Sequence, residues 1–87
     1  MATLVFAAPN APGVYELWNG DEVVYVGSTR DERHTLREML VHDLIDIERD
    51  ATHFSFEITF HPEVRERELM AEFVAAHHHR PRLNARG

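Results

Sequence analysis

The chain has 87 residues, 44% of them hydrophobic, which is enough for one small domain (1–87) and leaves no room for a second. It contains no cysteine, so disulfide staples, thiolate metal sites and a cysteine nucleophile are excluded. The formal charge is −6 and all nine basic residues are arginine, a balance that opposes long-range attraction to nucleic acid.

Other classes fall away on pattern. No apolar run approaches the ~18 residues a membrane span needs. The opening Met1-Ala2-Thr3-Leu4-Val5 lacks the basic start of a signal peptide, so a cytoplasmic location is the default expectation. An acidic surface without lysine fits a salt-rich cytoplasm, as in halophilic archaea, and equally a GC-rich genome. Full protonation of the seven histidines would carry the net charge from −6 to +1 (−6 + 7).

In chain order, Leu4-Val5-Phe6-Ala7 reads as a short leading strand or a packed arm, and residues 8–13 as turn. Val14 to Trp18 and Val23 to Gly27 form a hairpin, with Asn19-Gly20 as the turn signal. Ser28-Thr29-Arg30-Asp31 is a loop. A helix is predicted from about Glu32 to Arg49, with Leu36, Met39, Leu40, Leu44, Ile45 and Ile47 on its apolar face. In His53 to His61, Phe54, Phe56, Ile58 and Phe60 alternate with polar residues, which predicts a strand with one buried face. Pro62 opens a second helix that runs to about His78, with Glu63 and Glu66 in a first turn suited to the helix dipole. The order is β-β-α-β-α: a small α/β (α+β) domain with a three-stranded antiparallel sheet flanked by helices.

The chemistry-bearing candidates follow from this frame. Leu69, Met70, Phe73 and Val74 make the apolar stripe of the second helix, and Glu72 falls at its border. A carboxylate there could hold a hard cation through oxygen. Tyr15 and Tyr25 lie on adjacent strands, each at one end of a glycine-bearing tripeptide, and could form one polar wall of a site. His77-His78-His79 cannot converge on one ion unless the helix ends there, because consecutive helical residues point about 100° apart.

Gly13-Val14-Tyr15 and Tyr25-Val26-Gly27 together resemble the paired motifs of the GIY-YIG nuclease domain family. Pro12 before the first motif, Leu36 and Leu40 on the first helix, and Glu72 nine residues before Pro81 in Arg80-Pro81-Arg82-Leu83-Asn84 extend the resemblance over about residues 11–84. The resemblance implies a metal-dependent endonuclease using Mg²⁺ or Mn²⁺. In it Glu72 would be the metal ligand, and Tyr15 and Tyr25 would orient or deprotonate water or contact the phosphate. The implied substrate is DNA, with flaps, branches or a partner protein supplying specificity. One departure stands out. The family's first-helix arginine, eight residues after the glycine of the second tripeptide, is here Thr35, and Ser28 stands where relatives often carry lysine. Loss of such a donor typically costs ~10²–10³ in rate. Arg30, in the loop after the second tripeptide, or a shifted Arg33 would replace it as the catalytic cation. The alternative is a lapsed nuclease fold that binds nucleic acid or protein without cutting.

Overall fold

The structure is a computed structural model that describes residues 8–29, 34–42 and 49–84. The element order is β1 (Gly13–Asn19), β2 (Glu22–Ser28), α1 (Leu36–His42), β3 (His53–Ile58) and α2 (Pro62–His77). The strands form one antiparallel sheet ordered β2-β1-β3. This is the predicted α+β architecture. Among the described residues no helix is long and apolar enough to cross a membrane.

The hairpin loop is Gly20-Asp21, one residue later than the Asn-Gly signal implies, because Asn19 still pairs with Glu22. Gly20 has φ +60°, the conformation a two-residue hairpin loop asks of its first residue. The register shifts between Leu17 and Trp18, whose partners are Tyr25 and Val23, so Val24 is the extra residue of a bulge.

Strand alternation divides β1 between two layers. Tyr15 and Leu17 join Val24, Ala8, Leu36 and Leu40 in one buried cluster. Leu36 and Leu40, four residues apart, present one helical face, and each fully buried leucine contributes about 1.5–3 kcal/mol. Val14 and Val26 are also buried, on the opposite face by alternation. Gly13 must be glycine for a packing reason. A Cβ there would run into the Glu57 backbone carbonyl and come within 2.9 Å of Leu36 Cδ1.

The start of α1 is fully accounted for. Leu36 N–H donates to the Ala11 carbonyl (2.9 Å) and Arg37 N–H to the Pro9 carbonyl (3.2 Å). Glu38 N–H donates to Thr35 Oγ1 (3.3 Å). Thr35 is therefore the N-cap of a Thr-x-x-Glu sequence. This corrects the expected start near Glu32: His34 and Thr35 are not helical. Of the expected helix, 32–33 and 43–48 lie outside the described residues, as do the expected leading strand at 4–7 and Arg30 in its loop.

Two further expectations change. The Phe54-to-Phe60 face is not buried: Phe54 is half-buried, but Phe56 is 46%, Ile58 54% and Phe60 85% exposed. The reason is position, since β3 is an edge strand and the α1 leucines pack over the centre of the sheet. Helix α2 has no fully buried residue, and Val74 is 37% exposed. The apolar stripe of α2 therefore rests on the sheet without sinking into it.

The other edge is closed by residues 81–84. Pro81 is buried and Leu83 N–H donates to the Val24 carbonyl (2.8 Å). The Asn84 side chain then pairs with Val26 as a strand residue would: Oδ1 accepts its N–H (2.8 Å) and Nδ2 donates to its carbonyl (3.0 Å). Asn84→Ala removes both bonds and is expected to lower stability by about 1–3 kcal/mol. Urea unfolding measures this, and a loss below a few tenths would show that the edge is held by Leu83 alone.

Candidate functional site

The site begins with Gly27. It lies opposite Tyr15 in the strand register, and Tyr25 is its neighbour but one on β2. Both rings lean over it. A Cβ on Gly27 would sit 2.6 Å from Tyr15 Cζ, 2.7 Å from Tyr15 Oη and 2.8 Å from Tyr25 Cε1. The rings stack with centroids 6.0 Å apart and planes at 29°. Tyr15 is buried and Tyr25 half-buried.

These rings line an open cavity of about 450 Å³ with Ser28, Met39, Glu63 and Glu66 around it. Ser28 Oγ donates to Glu66 Oε2 at 2.6 Å, which fixes that carboxylate beside β2. Glu63 and Glu66 are three apart and share one face of the first turns of α2. The sequence assigns them to the helix dipole alone. Their spacing of three, at the start of a helix that follows the third strand, is the signal that places both on one cavity.

Glu72 is elsewhere. It is exposed and does not line the tyrosine cavity. It acts on Glu16, whose carboxyl is pushed above the usual glutamate range. Burial is the main cause, Arg65 opposes the rise, and Glu72 and Glu57 add to it. Arg65 Nε donates to Glu57 Oε2 at 3.0 Å. Tyr15, Glu16, Ser55, Glu57, Arg65 and Leu69 line a second, smaller cavity of about 130 Å³ where β1 and β3 meet α2. The structure thus brings Tyr15 and Tyr25 together and leaves Glu72 with the Glu16–Glu57–Arg65 charge cluster, whose cavity Tyr15 also borders.

The cation question has a similar answer. Arg30 lies outside the described residues. Arg37 Nε donates to the Ala8 carbonyl at 2.8 Å. Among the described residues no arginine lines the tyrosine cavity. Thr35 caps α1 and its hydroxyl also meets Asn10 Oδ1 at 3.3 Å. The first three N–H groups of α1 all have partners, so that helix start offers no anion cradle.

For the tyrosine cavity the available chemistry is oxygen ligation: carboxylates, a serine hydroxyl and phenols, the donor set of hard cations. Among the described residues, no group of three or more His, Cys, Asp or Glu is arranged to hold a metal ion. A Mg²⁺-type ion needs only one or two carboxylates with waters and phosphate oxygens. The residues present therefore fit such an ion.

Compared with models of known families, with curated proteins and with solved structures, the chain matches none.

Gly27→Ala is expected to displace both tyrosine rings and lower stability by about 1–3 kcal/mol, the range for overpacking. Near-UV circular dichroism and urea unfolding report the two effects, and an unchanged tyrosine spectrum would contradict the packing. For Glu16 the sign is set by its raised pKa. The folded state holds the proton more tightly, so this stabilisation is present at low pH and is lost as pH rises from the usual glutamate range through the raised value. Glu16→Gln should therefore raise the melting temperature at pH ~8 and change it little at pH ~4. Equal shifts at both pH values would refute this account.

Proposed function

We propose that this chain is a GIY-YIG-type phosphodiesterase acting on DNA with Mg²⁺ or Mn²⁺, and that the tyrosine cavity is its working cleft. The observation that carries the reading is the convergence of two phenols and two carboxylates on one open cavity, with Ser28 pinning Glu66. Glu66 and Glu63 are the residues that would hold the ion. A divalent cation bound there would neutralise phosphate charge and lower the pKa of a bound water. Tyr25, at the rim, is the phenol that meets a phosphate oxygen or the attacking water. Tyr15 is buried and serves as a positioning residue. Unloaded, the cleft is acidic and repels phosphate, so DNA binding depends on the cation. Specificity comes from DNA shape, such as a flap or branch, or from a partner protein.

Two observations favour a second reading, a nuclease fold that binds without cutting. Thr35 is occupied as a helix cap where relatives carry the phosphate-clamping arginine. Glu72, the glutamate that the resemblance selects, lies outside the cavity.

Cleavage of linear, flapped and branched DNA, at low and molar salt with Mg²⁺ or Mn²⁺, separates these readings. Glu66→Gln and Tyr25→Phe are expected to cost at least about 10²-fold in rate, and Glu72→Ala much less. Loss of cutting in Glu72→Ala alone would move the metal to Glu72 and refute the cavity as the cleft. Absence of cutting by the folded wild-type chain under every condition would overturn the nuclease reading and favour the binding module.

A further inference from the structure

The triple histidine stands apart from both cavities and finds its own geometry at the end of α2. His77 is the last helical residue. His78 adopts the left-handed conformation (φ 63°, ψ 19°), and its N–H closes the helix on the Val74 carbonyl at 2.7 Å. The chain reverses at this residue, which is the condition under which neighbouring histidines can converge.

The convergence involves His77 and His79. Their ring centroids are 6.0 Å apart. Phe73, one helical turn before His77, holds both rings: it packs on His77 at 4.2 Å and meets His79 edge-on at 5.7 Å. His79 Nδ1 lies 2.8 Å from the Arg80 carbonyl oxygen. A carbonyl can only accept, so Nδ1 carries the hydrogen and Nε2 keeps its lone pair. Metal-binding histidines have this arrangement, with the second nitrogen donating to a carbonyl and fixing tautomer and ring orientation.

We propose that His77 and His79 form a two-imidazole site for a borderline divalent transition metal such as Zn²⁺, Ni²⁺ or Cu²⁺. Imidazole is a preferred ligand of these ions, unlike the oxygen donors of the tyrosine cavity. At metal–nitrogen distances of about 2.0–2.1 Å, two neighbouring imidazoles on one ion hold their ring centres roughly 4.5–5 Å apart. From the observed 6.0 Å, the two exposed rings reach that separation by closing about 1 Å. All three histidines are exposed, so an ion reaches the rings directly from solvent. Water or an outside ligand completes the coordination, since the described residues offer no third protein ligand. His78 supplies the reversal and no ligand. The site is independent of the proposed nuclease chemistry.

The test is titration of the full chain with Zn²⁺ at neutral pH, followed by calorimetry and by NMR of the imidazole nitrogens. The rings of His77 and His79 should shift together. His77→Gln or His79→Gln should weaken binding by at least about tenfold, the scale at which even outer-shell partners matter. His78→Asn, which tolerates the left-handed backbone, should leave affinity within about twofold on that same scale. Equal weakening by all three variants would overturn the proposal, because it would make the chelation a property of any flexible histidine tripeptide. Absence of ring shifts with Zn²⁺ would overturn it as well.

Discussion

Two missing side chains set the geometry of this domain. At Gly13 the lack of a Cβ lets the β3 backbone and Leu36 of α1 close on the central strand from two directions. At Gly27 it lets two tyrosine rings lie over the neighbouring strand. In close-packed interiors even one methylene is felt, so neither place can relax around an added methyl group without moving strand or ring. The tripeptide motifs are therefore packing devices first. Whatever chemistry Tyr25 performs depends on the backbone clearance beneath it.

The start of α1 illustrates competition between local stability and anion binding. A helix start can be used to bind an anion, with open N–H groups and a cation nearby, or it can be closed by caps. Here it is closed. Pro9, Ala11 and Thr35 take the first three donors, and a threonine cap is worth roughly 1 kcal/mol over alanine. An arginine at Thr35 would give up that cap. If a phosphate is handled in the tyrosine cavity, its charge must then be met by something other than this helix, which is why the proposed cleft relies on its carboxylates to recruit a cation.

The sequence makes the element order, the hairpin and the Leu36/Leu40 contact readable, because each rests on local spacing. It also makes the pairing of Tyr15 with Tyr25 readable, since strand alternation and a short loop leave few registers. It does not show which glutamates meet those tyrosines. That depends on how α2 lies across the sheet, and α2 carries no deeply buried residue to fix its rotation from pattern alone. Glu72 looks like a border residue on a helical wheel, yet the helix turns Glu63 and Glu66 toward the cavity. The phenylalanine strand misleads for a related reason. Alternation reveals that Phe54, Phe56 and Ile58 share a face, but whether anything covers that face is decided by strand order. The clamp by Asn84 spans 58 residues to Val26, beyond the reach of any periodicity.

Net charge bears on function less than its local placement does. A chain at −6 is repelled by DNA in dilute buffer, but in molar salt the Debye length is about 3 Å. Only groups in near contact then matter. Under those conditions the Ser28–Glu66 bond, the Glu57–Arg65 pair and the two tyrosine rings keep their meaning, while the overall acidity loses it. The same acidity at low ionic strength would make any approach to nucleic acid depend on bound cations. The ionic strength at which this protein works therefore decides whether its surface charge would oppose the proposed DNA substrate or be screened from it.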